Sequence, residues 1–178
     1  DHWDPVGAPE ILTFHPACLL IAPSGVRPLA KAQGIGNDRI IALDVGSEMT
    51  AGPFRITALP TLHSDAAGIG LLVRAGGQSI YHSGDTEYTT ALAKDLQKRL
   101  GAAPDLALLC INGHLGNMTW QEAALLAERL QPKLCIPNHY DLFLENQQDP
   151  APFMERCNLL GLAVRTLVPG VPFTRSIA

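Results

Sequence analysis

Residues 105–137, D-L-A-L-L-C-I-N-G-H-L-G-N-M-T-W-Q-E-A-A-L-L-A-E-R-L-Q-P-K-L-C-I-P, contain the pattern that decides the fold. The stretch begins with a near-continuous apolar run, D-L-A-L-L-C-I, which is typical of a strand covered on both faces. Thr119 is a favourable N-cap and Glu122 completes a capping box, so a helix is predicted to run from there to about residue 130. A second buried strand follows at 133–137. This order predicts a β-α-β unit within a layered α/β protein that has helices outside its sheets.

Shorter patterns on both sides of this unit predict the remaining elements. An amphipathic helix is expected at 88–100 and another helix at 150–160. Gly76-Gly77 is expected to form a hairpin turn between two strands. The predicted strands outside the β-α-β unit are 17–22, 39–44, 54–59, 70–74, 79–82, 162–167 and 171–174.

Composition limits the class of protein. The 178 residues are 47% hydrophobic and 17% charged, which indicates one folded domain, 1–178, rather than a disordered chain. The net charge of −4 gives no basic excess for nucleic acid or an anionic membrane, and no apolar run reaches the length of a membrane span. The four cysteines are too sparse for a disulfide framework, so we expect them to be reduced and the protein to be cytoplasmic.

Histidine and aspartate residues follow several of the predicted strands. His63 lies in T-L-H-S-D, Asp85 in Y-H-S-G-D-T and His139 in I-P-N-H-Y-D, while Asp1 and His2 begin the chain in D-H-W-D-P. Ligands of open α/β sheets gather at the carboxyl ends of strands. Imidazoles and carboxylates that converge there are suitable ligands for a divalent ion. These side chains are therefore candidate ligands of one metal site, although each of them taken alone is more typical of a surface or hydrogen-bonded loop residue.

The order of these motifs resembles the metallo-β-lactamase superfamily, and within it the L-ascorbate 6-phosphate lactonase-like branch. The motifs that carry the resemblance are D-H-W-D-P, L-H-S-D followed by G-I-G-L-L-V, I-Y-H-S-G-D-T, G-N-M-T before a helix, and I-P-N-H-Y-D. The resemblance implies an αββα sandwich. The first motif of the superfamily is H-x-H-x-D-H, and its H-x-H half is not in this chain. We therefore expect residues 1–178 to be the C-terminal majority of a longer domain, without its N-terminal strands.

The resemblance also implies roles for the predicted ligands. Asp1, His2 and His139 would bind a second metal ion, His63 would bind the first, and Asp85 would bridge the two or hold the hydroxide between them. One or two divalent ions are expected, zinc or manganese before others. The implied activity is hydrolysis, in which metal-bound hydroxide attacks a lactone or ester of a small substrate, with or without a phosphate group, and Asp85 is the catalytic residue.

Further polar residues near these motifs have two interpretations each. His82 and Asp141 are close in sequence to predicted ligands and would either orient them or form ordinary loop hydrogen bonds. His114, in a loop after the first strand of the β-α-β unit, would either contact substrate or lie in an exposed turn. The helix start at 117–119 would either bind an anion or simply be capped by its threonine.

Three functions remain open at this point. The first is a lactonase or related small-molecule hydrolase. The second is a metal-dependent phosphodiesterase or phospholipase of the same fold, and the third is a non-catalytic metal-binding protein. The expected partner is a small molecule, with neither nucleic acid nor membrane bound, and the family likeness suggests a homo-oligomer.

Overall fold

The computed structural model describes residues 3–141 and 143–174 and arranges most of them around a six-stranded sheet. The helices are α1 (Gly7–Phe14), α2 (Arg27–Ala32), α3 (Thr90–Leu100), α4 (Trp120–Leu130) and α5 (Ala151–Leu159). The strands are β1 (Leu20–Ala22), β2 (Ile40–Ala42), β3 (Glu48–Ala51), β4 (Phe54–Pro60), β5 (Ile69–Ala75), β6 (Gln78–His82), β7 (Leu106–Cys110) and β8 (Cys135–Asn138). No helix in these ranges combines the length and the apolar character needed to cross a membrane.

The direction of the strands determines which loops meet. The larger sheet has the order β3-β4-β5-β6-β7-β8, and its pairs are antiparallel as far as β6. From β6 to β8 the pairs are parallel. Because β4 and β6 are both antiparallel to β5, the strands β4, β6, β7 and β8 all point the same way. The loops that follow these four strands therefore lie at one edge of the sheet, which we call the carboxyl edge.

One face of the larger sheet carries the main core. Tyr81, Ala107 and Cys135 are neighbours across β6, β7 and β8, and all three are fully buried in a cluster that includes side chains of α3, α4 and α5. The other face is less covered, since Ile80 of β6 remains 40% exposed. A cleft of about 1060 Å³ lies over that face and extends to His139 at the carboxyl edge.

The two parallel strands β1 and β2 form a separate small sheet beside this core. The Arg39 guanidinium, directly before β2, donates hydrogen bonds to the carbonyl oxygens of Leu12, His15 and Cys18. This side chain thereby fastens the end of α1 to the small sheet.

The central prediction is confirmed: β7, α4 and β8 form the β-α-β unit, and α4 begins with the predicted capping box. Gly76 and Gly77 both have positive φ between β5 and β6, as a tight hairpin turn requires. The predicted cysteine state also agrees, because all four cysteines are free thiols and three of them are buried. The helix at 88–100 begins two residues later than predicted, at Thr90.

The two closing strands are a wrong prediction. Residues 162–167 form a single bridge, between Val164 and Cys135, and residues 171–174 form no strand. The backbone of Cys135 bonds to Ala163 and Arg165, but Pro137, the next residue of β8 that would face this segment, has no N–H to extend the ladder. The sequence analysis also missed β3, α1 and α2, which are short.

Candidate functional site

The carboxyl edge brings together the loops that carry the predicted site residues. His63 follows β4, Asp85 follows β6, His114 follows β7 and His139 follows β8. Asp1 and His2, the first two predicted ligands, lie outside the residues that the structure describes.

Two close backbone approaches fix the loop that carries Asp85. Gly84 has a φ of +61°, and a Cβ at this residue would lie 2.6 Å from the carbonyl oxygen of Ile69. A Cβ on Gly70 would lie 3.0 Å from the carbonyl oxygen of Ser83. Only glycine fits these two positions without movement of β5 or of the loop. The glycines therefore let the loop pack against the start of β5.

The structure brings Asp85 and His139 together. The Nε2 atom of His139 lies 3.4 Å from Oδ2 of Asp85, and the two side chains are 22% and 14% exposed. His139 has a φ of +59°, in the left-handed region that a residue other than glycine rarely occupies. An imidazole nitrogen beside a carboxylate oxygen provides two donors of the kind that divalent transition-metal ions prefer. This pair therefore fits a metal ion as part of a larger ligand set.

His63 reaches the same edge but has other partners. Its Nε2 lies 3.1 Å from the carbonyl oxygen of Leu115, and its Nδ1 lies 3.4 Å from the backbone nitrogen of Asp65. Gly116 is close to the ring, since a Cβ there would lie 3.5 Å from Cδ2 of His63. In residues 3–141 and 143–174 no three His, Cys, Asp or Glu side chains form a group that could hold a metal ion. The full predicted ligand set thus stays a prediction.

His82 links the Asp85 loop to the residue before His139. Its Nδ1 accepts a hydrogen bond from the N–H of Gly84 at 3.0 Å, and its Nε2 lies 3.1 Å from the side-chain amide of Asn138. Because a backbone N–H always donates, Nδ1 carries no proton in this contact, and a neutral ring has its proton on Nε2. The Asn138 atom facing Nε2 is the amide nitrogen Nδ2, and rotation of the amide by 180° would put its oxygen there to accept the Nε2 proton. His82 is thus placed where it supports the loops of both partners in the Asp85–His139 pair.

The remaining candidates lie around the pair. His114 is exposed, and its carbonyl oxygen accepts hydrogen bonds from the backbone N–H of Asn117 and the side chain of Asn112. Asp141 is exposed and lines the cleft beside His139. Partial burial, with a contribution from the negative charge of Asp141, raises the pKa of Tyr140 above its usual value. The roles of His114 and Asp141 therefore stay predictions.

The start of α4 is capped by its own side chains. The Thr119 hydroxyl accepts the N–H of Glu122, and the Glu122 carboxylate accepts the N–H of Thr119. This arrangement supports the capping interpretation of residues 117–119 over the anion-binding one.

Asn112 and Thr86 are among the buried polar residues that the sequence analysis missed. Asn112 is fully buried after β7, and its Oδ1 has no hydrogen-bond partner among the described residues. Thr86 is also fully buried and directly follows Asp85. The G-D-T motif does not signal this role of Thr86, because Ser and Thr are common in turns, where their hydroxyls bond to the local backbone.

Comparisons with known proteins agree on what this chain resembles. The model of the Beta-lactamase superfamily domain matches residues 1–140. The UPF0173 metal-dependent hydrolase of Deinococcus radiodurans is 31% identical and is matched over 96% of this chain and 74% of its own length. The UPF0173 metal-dependent hydrolase of Thermofilum pendens is also 31% identical, over 87% of this chain, and the match spans 66% of that relative.

A solved structure shares the arrangement described above. Igni18, a metallo hydrolase from the archaeon Ignicoccus hospitalis, superimposes with a TM-score of 0.80 and 26% identity. The match covers 96% of this chain and 74% of that one. The two proteins therefore have the same fold over nearly the whole of this chain.

Proposed function

This chain belongs to the beta-lactamase superfamily and to its UPF0173 metal-dependent hydrolase family, and on that basis we propose that it is a metal-dependent hydrolase with its site at Asp85 and His139. Its α/β fold, with mixed sheets and helices, is the metallo-β-lactamase fold that the sequence motifs implied. The lactonase-like branch is a narrower assignment, and its support is the motif resemblance.

The observation that carries the proposal is the contact between Asp85 and His139. The side chains of Asp85 and His139 come from two separate loops and are both mostly buried. A carboxylate oxygen and an imidazole nitrogen lie 3.4 Å apart there, at the edge where strands β6 and β8 end. We expect His63, Asp1 and His2 to complete the ligand set. A divalent ion held there would supply Lewis acidity, which would lower the pKa of a water molecule and polarise a substrate oxygen.

The residues of the chain would orient the reactants. The Asp85 carboxylate would accept a hydrogen bond from the attacking water and so would aim one lone pair of the water at the substrate. Gly84 and His82 hold the loop from which this carboxylate projects. The cleft beside His139 offers room for a substrate, and Tyr140 lines the same end of it.

The proposed substrate is a small lactone or ester, including a phosphorylated sugar acid as in the lactonase-like branch. The net charge of −4 does not favour nucleic acid as the substrate, because a polyanion is usually bound by a basic surface. Zinc and manganese are the ions we propose first, because imidazole with carboxylate suits both. A homo-oligomer and a cytoplasmic location also remain predictions.

Metal binding by matched variants tests the site. Protein stripped with a chelator would be titrated with Zn²⁺ and Mn²⁺ by calorimetry, using the wild type, Asp85→Asn and His139→Ala. We expect both variants to lose most bound metal, whereas the exposed controls Asp38→Asn and His15→Ala should bind as the wild type does. Equal metal binding by all five proteins would contradict the assignment.

Turnover is tested separately with three classes of substrate. Lactones, aryl esters and aryl phosphodiesters would be offered to the metal-loaded wild type and to Asp85→Ala. The proposal predicts that the wild type hydrolyses lactones or esters and that Asp85→Ala does not. Preference for phosphodiesters would favour a phosphodiesterase instead, and tight metal binding without any hydrolysis would favour a non-catalytic metal-binding protein.

A further inference from the structure

Thr86 holds two loops of the carboxyl edge together. Its side-chain oxygen accepts a hydrogen bond from the N–H of Leu62 at 2.9 Å and donates one to the carbonyl oxygen of Glu87 at 2.9 Å. The N–H of Glu87 in turn donates to the carbonyl oxygen of Leu62 at 2.8 Å. Leu62 is therefore held through both of its backbone groups by the segment that follows Asp85.

The loop after β7 also contacts Thr86. The carbonyl oxygen of Thr86 accepts the N–H of Met118 at 2.8 Å, and the Cys110 thiol lies 3.7 Å from that oxygen. Thr86 thus contacts the loops after β4, β6 and β7, and its side chain is 0% exposed.

The position of Thr86 matters because of its neighbours in the chain. Leu62 directly precedes His63, and Thr86 directly follows Asp85. The Thr86 hydroxyl accepts a hydrogen bond from the His63 loop and donates one within the Asp85 loop. The two bonds together require a side-chain atom that is both a donor and an acceptor. Valine has nearly the same shape as threonine but provides neither, so it would leave the N–H of Leu62 without its partner.

We propose that Thr86 is a positioning residue that sets the His63 loop against the Asp85 loop, so that both side chains are presented to one metal ion. This inference rests on the proposed function, since it assigns both residues to a single site. A purely structural role, in which the hydroxyl only completes a buried turn, predicts lower stability and unchanged metal affinity. The two roles are therefore separable by experiment.

The test uses Co²⁺ as the probe and measures binding by the visible absorption of the bound ion. The stripped proteins are the wild type, Thr86→Val, Thr86→Ser and the control Thr89→Val, which also loses a hydroxyl–backbone bond, at the start of α3. Residues that orient metal ligands typically change affinity by about 10- to 100-fold when replaced. We expect this loss in Thr86→Val and an altered absorption spectrum, near-wild-type affinity in Thr86→Ser, and unchanged affinity in Thr89→Val despite its lower melting temperature.

Two results would overturn the inference. One is a Thr86→Val protein that melts at a lower temperature but binds Co²⁺ with the affinity and spectrum of the wild type. The other is a Thr86→Ser protein as impaired as Thr86→Val, because serine keeps the hydroxyl. If Thr86→Val does not fold, Thr86→Ala removes both side-chain hydrogen bonds without introducing a metal-binding group, and wild-type affinity in that variant would also overturn the inference.

The variant Asp85→Asn separates this inference from the proposed function. If Asp85→Asn binds Co²⁺ as the wild type does, the proposed site itself is wrong. If Asp85→Asn loses Co²⁺ while Thr86→Val retains it, the site stands and only the role of Thr86 fails.

Discussion

Replacement of Gly84 by alanine tests whether the Asp85 loop depends on a close backbone approach. A methyl group there would lie 2.6 Å from the carbonyl oxygen of Ile69, so β5 and the loop would have to separate by about 0.4 Å to reach even 3.0 Å. Gly76 is a matched control, because its φ of +56° is close to the +61° of Gly84 and a Cβ there would meet nothing within 4 Å.

Both variants place alanine in the left-handed region, but only Gly84→Ala also forces a methyl group against the backbone. Alanine in the left-handed region costs about 1–2 kcal/mol, partly offset by about 0.4–1 kcal/mol from the restricted unfolded chain. Gly76→Ala should therefore lower the free energy of unfolding by about 1 kcal/mol. Gly84→Ala adds an overpacking cost of about 1–3 kcal/mol, which gives a total of about 2–4 kcal/mol.

Urea unfolding followed by circular dichroism would measure both free energies, and Co²⁺ titration would follow the site. We expect Gly84→Ala to be the less stable variant and to bind Co²⁺ more weakly, while Gly76→Ala keeps the affinity of the wild type. Equal destabilisation by the two substitutions would refute the reasoning from close approach, because the shared φ would then account for the whole effect.

Two further substitutions test the fold around the site. The hydrogen bond from Lys133, together with those from Ser79, holds the pKa of Asp105 below its usual value despite partial burial. The ionised form of Asp105 therefore stabilises the fold at neutral pH. This contribution is lost as the pH falls through the lowered pKa. Asp105→Asn should therefore lower the free energy of unfolding by about 1 kcal/mol at pH 7 and by less near pH 3, and a difference that grows on acidification would contradict this. Thr119→Ala removes the cap of α4 and should lower the free energy of unfolding, measured with urea, by about 1 kcal/mol. The control Thr13→Ala, on the exposed side of α1, should change it little. Equal effects of the two substitutions would argue against the cap.

The parts of the fold that were predictable from sequence depend on local patterns. The capping box of Thr119 and Glu122 and the apolar runs on both sides gave the β-α-β unit because each signal is contained within a few residues. The proximity of Asp85 and His139 is explained by strand direction, since both residues lie in loops that follow strands running the same way.

The parts that were not predictable depend on contacts between distant segments. The Nε2 of His63 faces the carbonyl oxygen of Leu115, and nothing in either loop sequence indicates that pairing. The partner of the Thr86 hydroxyl is Leu62, which is remote in sequence. Residues 162–167 have the composition of a strand, but the missing N–H of Pro137 in another segment limits them to one bridge.

Pro137 also bears on how copies of this protein behave when they are concentrated. β8 is the last strand of the larger sheet, and an unprotected outer strand can recruit a strand from another molecule and start aggregation. The Ala163–Arg165 segment occupies the bonding groups of Cys135 on that side, and the proline withholds the next donor. Pro137, which limits the predicted strand at 162–167 to one bridge, therefore also helps to prevent edge-to-edge strand pairing between separate molecules.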